Sequence, residues 1–418
     1  MIDILLLLIK EKKLKIVIIN AVYKIRSTGR TYCELHDYIC SQGHECKVVY
    51  GEKKGNYKDT IYLGNYIDHK FHALLSRLTG KVGCYSSNST KKLLNFLDEY
   101  KPEIVHLGNL HSNFINIEML LKYLGEKNIK TTLTLHDCFF YTGGCFHYTL
   151  NNCFKWQNKC EECKYYKNRK SWLFDKSNYL FNIKELRFKN IKNLGVIGVS
   201  DWITNEAKKS TILKNAKIIK RVYDWIDLEI FKPFNVEKKN LIKNLENKFI
   251  ILGVASNWSR KKGLDKFIQL SEIISPDMVI ILIGKIEKNI NLPQNIINVL
   301  ETDNIFELVK YYNLADVFLQ LSKEETFGKV VAEALACGTP AIVYNSTASP
   351  ELVKDSCGYI IENDENISSI LKKVKKVKQL GKTYFSNNCR QKALKDFNKN
   401  INCTKIIDIW KSLEECDK

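Results

Sequence analysis

No stretch of this sequence is long and apolar enough to cross a bilayer, which takes about 20 residues. The apolar run at the amino end, Ile2 to Ile9, is far shorter. No basic residue precedes it and no small-residue cleavage site follows, so it is expected to be a short helix, a strand or a shallow membrane contact, not a secretory signal. Tandem repeats, coiled-coil heptads, low-complexity tails and a helix-turn-helix or RNA-binding signature are all missing. Acidic residues are outnumbered, 46 Asp and Glu against 65 Lys and Arg, for a net charge of +19. Such an excess favours polyanions: nucleotide phosphates, nucleic acid or anionic lipid heads. The chain is also rich in Lys, Asn and Ile, and that bias alone supplies part of the excess. Without an export signal, the 14 cysteines are expected as reduced thiols or metal ligands, not disulfides.

What is present is an alternation of apolar β-branched runs with helical patterns. Lys15 to Asn20 reads as a buried parallel strand. It leads through Ser27-Thr28-Gly29-Arg30 to a helix over Thr31 to Gln42 and a strand over Lys47 to Tyr50. Gly29 would let backbone approach a phosphate; it reads equally as a plain turn residue. Strands follow at Ile104–Leu107, Thr131–Leu135, Gly195–Ser200 and Lys217–Ile219, with helices between. Asp224 to Pro233 looks like a hinge. A charged stretch, 235–248, then opens a second series with strands at Phe249–Val254, Val279–Gly284 and Ile296–Leu300 and helices at Gly263–Ile274 and Ile305–Tyr312. At 418 residues the chain has room for two or three domains. The pattern predicts an α/β protein of two similar halves, each a mainly parallel sheet covered on both faces. The halves are 1–230, with a Cys-rich insertion at 138–192, and 231–400. A last helix, Ile401 to Leu413, closes the chain within 401–418.

One stretch, Leu319 to Val353, carries the chemistry. A strand ending at Leu319 runs into a polar turn, Ser322 to Thr326. A helix starts near Gly328, Cys337-Gly338-Thr339-Pro340 stops it, and Ala341–Tyr344 is the next strand. In such a β-α-β unit the helix N-terminus points into the crevice at the strand ends, where unpaired amides and the helix dipole favour phosphate. A nucleotide diphosphate on the amides of Phe327, Gly328 and Lys329 would lie between two acids. Glu333 could take both ribose hydroxyls, and Glu325 the hydroxyls of a sugar beyond the phosphate. Acids at helix ends are otherwise ordinary. The pair with seven residues between, followed by EALACGTP, resembles the signature of the retaining glycosyltransferases of family 4. That resemblance implies a GT-B fold, two facing Rossmann-like domains with a terminal helix crossing back to the first.

His136 ends a strand in LHDCFFYTGGC, and Lys170-Ser171-Trp172 follows. Here the chain is similar to colanic-acid and capsule members of that family, which places His136 near the transferred sugar. Cys145, Cys153, Cys160 and Cys163 fall within 19 residues. The closing C-x-x-C suits a tetrahedral metal, so structural zinc is expected, with unligated thiols as the alternative. Cys138 and His147 could substitute for one ligand. In the turn Ala255–Gly263, Lys262-Gly263 matches the family's KG, whose Lys neutralises the leaving diphosphate. Ser256 stands where the family commonly has Arg, leaving Arg260 as the candidate replacement. Asp224 stands where the hinge motif Y-N-G-I-D has Asn.

The resemblance implies a metal-independent hexosyltransferase in surface polysaccharide, capsule or lipopolysaccharide synthesis, with no cofactor for catalysis. Its substrates would be a nucleotide-sugar donor and a glycan or lipid-linked oligosaccharide acceptor, and nucleic acid would not be a partner. A cytoplasmic location is expected, with peripheral contact to the inner face of the plasma membrane. Lys155 to Lys192 mixes basic and aromatic residues in a way that suits an anionic bilayer; solvated helices with core aromatics explain the same composition. Two competing readings remain: a basic zinc-containing nucleic-acid-binding protein, and a GT-B epimerase of nucleotide sugars.

Overall fold

The computed structural model describes residues 12–169, 173–237, 245–287, 289–300, 304–353, 356–363 and 366–415. The opening run Ile2–Ile9 and Lys170-Ser171-Trp172 lie outside them.

Seven parallel strands form the first sheet: β1 (Lys15–Asn20), β2 (Glu45–Tyr50), β3 (Thr60–Tyr62), β4 (Ile104–Leu107), β5 (Lys130–Leu135), β6 (Leu194–Gly198) and β7 (Ile218–Arg221). Their order is β3-β2-β1-β4-β5-β6-β7. Six more make the second sheet: β8 (Phe249–Asn257), β9 (Met278–Lys285), β10 (Ile296–Val299), β11 (Val317–Gln320), β12 (Ala341–Tyr344) and β13 (Gly358–Ile361). Their order is β10-β9-β8-β11-β12-β13, again with every pairing parallel. The central strands are buried along almost their whole length, β4, β6, β11 and β12 completely. Helices cover both faces, which is why these strands read as unbroken apolar runs instead of alternating ones.

Several boundaries move. The helix after β1 spans Arg26–Ser41, so Ser27-Thr28-Gly29-Arg30 form its first turn and not a loop ahead of it. Gly29 is needed there for space: a Cβ would sit 3.2 Å from Val22 Cγ2 and 3.3 Å from the Lys24 backbone nitrogen. β8 runs on to Asn257 through an irregularity between Val254 and Asn257. A short 3-10 turn, Arg260–Lys262, then precedes a helix of only eight residues, Leu264–Ser271. Sequence periodicity had not marked β3, β13 or the helices Tyr66–Thr79, Ile367–Leu380 and Lys382–Asp396. No described helix is long and apolar enough to cross a membrane.

The last helix, Lys399–Glu415, returns to the first domain as the resemblance implied. Trp410 is fully buried, its Nε1 donates to Thr132 Oγ1 of β5 at 2.8 Å, and its ring meets that of His106 edge-on. Gly195 of β6 leaves the room for this approach, since a Cβ there would lie 3.2 Å from Leu413 Cδ1. Just ahead, Ile226 of the connecting segment bridges to Asn398. Trp410→Ala removes a buried anchor of both first sheet and crossover and should cost about 3–5 kcal/mol, read as a lower urea midpoint of the whole chain.

Candidate active site

The two sheets set the carboxyl ends of β5 and β11 against each other, and the candidate residues gather between them. Gly328 precedes the helix Lys329–Ala336 and takes φ 94°, a conformation that suits glycine. No side chain caps this N-terminus. Lys329 reaches over the cleft, its Nζ 3.3 Å from Thr31 Oγ1 on the first domain.

Glu325 lies on the loop ahead of the helix, as expected. Its Oε1 accepts from Lys262 Nζ at 2.6 Å and from Gln320 Nε2 at 2.8 Å. Its backbone nitrogen donates to Thr347 Oγ1 at 3.0 Å. Sequence proximity could not join Lys262 to Glu325; the pairing of β8 with β11 does. Glu333 is buried, and Tyr312 Oη donates to its Oε2 at 2.8 Å. Burial raises its carboxyl above the ordinary carboxylate range, while Lys329, the Tyr312 hydroxyl and Arg30 pull the other way. Arg260 is not brought in. Its side chain is 92% exposed and approaches Asp265 at 3.8 Å, because the 3-10 turn points it outward.

On the first domain His136 follows β5. Its Nε2 lies 3.1 Å from Tyr32 Oη, and its Nδ1 lies 3.6 Å from Asp224 Oδ2. Asp224 is buried; burial raises its carboxyl, but His136 and Lys329 outweigh that and hold it below the usual range. The residue that departs from the hinge motif therefore faces His136. Behind them His106 sits between Thr132 Oγ1 (2.7 Å) and Thr134 Oγ1 (3.1 Å). Burial, aided by His136, pushes its imidazole down to about 3, so it is neutral at physiological pH. Asp137 accepts from His111 Nε2 at 2.8 Å and from the Phe139 amide at 2.9 Å.

The domains are tied at backbone groups. Thr326 Oγ1 donates to the His136 carbonyl at 2.7 Å. Glu324 Oε1 accepts from Thr149 Oγ1 and the Leu150 amide, docking the Cys-rich insertion on the second domain. Glu351 accepts the Asp201 and Trp202 amides, both at 2.7 Å, capping the helix Asp201–Lys209 from across the cleft. Tyr32, Tyr312, Thr326 and Arg30 were missed from the sequence. The one signal available was Gln320, a polar residue closing an otherwise apolar strand.

Cys145, Cys153, Cys160 and Cys163 line one cavity of about 260 Å³. Among the described residues, however, no three His, Cys, Asp or Glu side chains cluster closely enough to hold a metal ion. Cys160 Sγ instead accepts the Gly143 amide at 3.2 Å, and the Cys163 amide donates to Asp175.

Glu333→Gln removes a carboxylate whose charge is penalised by burial. A raised acid favours the protonated folded state, so this group's contribution to stability falls as pH rises through its folded value. The variant should match wild type in acid and melt higher at neutral pH, checked by thermal unfolding across pH.

A family model described as glycosyl transferases group 1 matches residues 235–396. N-acetyl-alpha-D-glucosaminyl L-malate synthase of Bacillus anthracis is 28% identical over 180 residues, which is 40% of this chain and 46% of that enzyme, so this match spans about half its length. The putative colanic acid biosynthesis glycosyl transferase WcaC of Escherichia coli K12 is 22% identical, over 79% of this chain and 83% of that protein. Among solved structures, Anabaena Alr3699/HepE in complex with UDP and glucose superimposes with a TM-score of 0.64 at 14% identity, covering 96% of this chain and 100% of that one. The second domain thus matches the model of the group 1 glycosyltransferases, and both sheets are arranged as in GT-B structures.

Proposed function

We propose that the chain transfers a sugar, with retention of configuration, from a nucleotide-sugar donor to a glycan or lipid-linked acceptor during surface polysaccharide synthesis. The observation that carries this reading is the constellation around one helix end: Gly328 and the first amides of Lys329–Ala336, Glu325 paired with Lys262 at 2.6 Å, and Glu333 aimed by Tyr312. UDP is the nucleotide put forward, since the similar HepE structure holds UDP and glucose.

In this reading the diphosphate rests on the amides of Phe327, Gly328 and Lys329, and Glu333 accepts from the ribose hydroxyls. When donor arrives, Lys262 turns from Glu325 to the β-phosphate and frees that carboxylate for the sugar. The bond from the anomeric carbon to the phosphate oxygen breaks, and an oxocarbenium-like centre forms. Lys262, Lys329 and the helix amides stabilise the charge growing on the diphosphate. The acceptor oxygen bonds to the same face, and its proton passes to the departing phosphate. His136 lines the sugar side, its ring oriented by Asp224 and Tyr32. Gly29 gives the first domain its close backbone turn beside this cleft. Arg260, pointing outward, is assigned no part. The acceptor enters on the first-domain side, where a cavity of about 300 Å³ opens between Phe146 and His147 of the insertion and Lys262, Ser322 and Glu324. The protein works in peripheral contact with the inner face of an anionic membrane.

Glu325→Ala should lower transfer from UDP-sugars by at least about a hundredfold with unfolding unchanged. A fully active, folded variant refutes the assigned site. Asp224→Asn should lower kcat more than it raises the KM for donor, because it disturbs His136 and not the phosphate contacts; steady-state kinetics with a panel of UDP-sugars decides.

A further inference from the structure

The helix Tyr66–Thr79 is amphipathic in the reverse sense. The side packed on the first domain carries His72 and Ser76, both buried. His72 Nδ1 meets Ser86 Oγ at 2.8 Å, and burial pushes its imidazole down to about 4, so this inward histidine is neutral. The outer side carries Tyr66, Ile67, Phe71, Leu74 and Leu78, between 36% and 78% exposed. They recur at helical spacing and make one apolar stripe. Most large exposed apolar residues stand singly on a soluble surface; five on one fourteen-residue helix do not.

Charge on the stripe has one sign. Lys70 and Arg77 are interleaved with it, Lys70 Nζ lying 5.2 Å over the Tyr66 ring. Asp68, the helix's acid, is turned aside, its Oδ2 accepting from Ser89 Oγ at 2.9 Å. The stripe continues past the helix end. Gly80 and Val82 share a small cavity with Phe174, Leu173 and Phe174 are exposed, and Lys81 Nζ sits 4.8 Å over the Tyr179 ring. At fourteen residues the helix is too short to span a bilayer, which takes about 20. It has the length and composition of one that lies in the interface, with apolar side chains among acyl chains and cations at phosphate level.

We propose that the helix Tyr66–Thr79 is the element that seats this enzyme on an anionic lipid bilayer, Ile67, Phe71, Leu74 and Leu78 inserting and Lys70 and Arg77 meeting lipid phosphates. The proposal rests on the membrane contact put forward above and names its face.

The test is co-sedimentation of the full chain with phosphatidylcholine vesicles, with and without phosphatidylglycerol. Wild type should pellet with the anionic vesicles and, in added salt, only in part. The double variant Ile67→Asp/Phe71→Asp should lose at least about tenfold in vesicle affinity, and Lys70→Glu/Arg77→Glu should lose the preference for phosphatidylglycerol. Both alter exposed positions, so UDP affinity and circular dichroism should stay as in wild type. Wild type that binds no vesicle overturns the membrane contact itself. Vesicle binding kept by the Asp variant but lost on Leu173→Asp/Phe174→Asp overturns only the choice of face. A wild-type dimer that Ile67→Asp/Phe71→Asp converts to monomer, without vesicle binding, assigns the stripe to a second copy of the chain.

Discussion

The geometry of the cleft depends on side chains of one domain that end on backbone groups of the other. Thr326 reaches the His136 carbonyl, Glu324 takes the Leu150 amide, and Glu351 takes the amides of Asp201 and Trp202. Backbone partners cannot change rotamer, so each bond sets a distance between rigid bodies and not merely between flexible side chains. Their spacing in sequence makes the coupling tight. Glu324, Glu325 and Thr326 are consecutive; the outer two hold the first domain, and the middle one turns back to Lys262 and Gln320 within its own. A change in domain closure therefore moves the candidate sugar-binding carboxylate directly.

Electrostatics in the cleft are arranged around that closure. Lys329 comes from the second domain, yet it acts on Asp224 of the connecting segment and on Glu333 of its own helix. Arg30, from the first domain, acts on Glu333. Burial thus leaves the Glu333 carboxyl raised despite Lys329, Tyr312 and Arg30, while His136 and Lys329 hold Asp224 below the usual range. Two buried carboxylates of similar depth are driven in opposite directions because only one has a histidine against it.

Much of this was legible from residue patterns. The β11–helix–β12 unit announces itself through an apolar strand, a polar turn, Gly328 and the stop at Cys337-Gly338, since each is a local rule. The terminal helix was equally plain. Illegible were the contacts that exist only after the sheets form. Tyr32 lies 104 positions from His136, and Tyr312 belongs to a helix whose periodicity marks it as core. The helix Tyr66–Thr79 escaped notice because its exposed apolar residues imitate a buried face. The four cysteines do come together around one cavity, but only the folded insertion sets how their side chains face it.

The return of the carboxyl-terminal helix bears on how the molecule is made. Trp410 packs against β4 and β5. A ribosome delivers that indole only after the entire second domain has been synthesised. Until then the first sheet lacks the Trp410 bond to Thr132 and the ring contact with His106. The first sheet is therefore complete only with a segment that lies beyond the whole second domain in sequence.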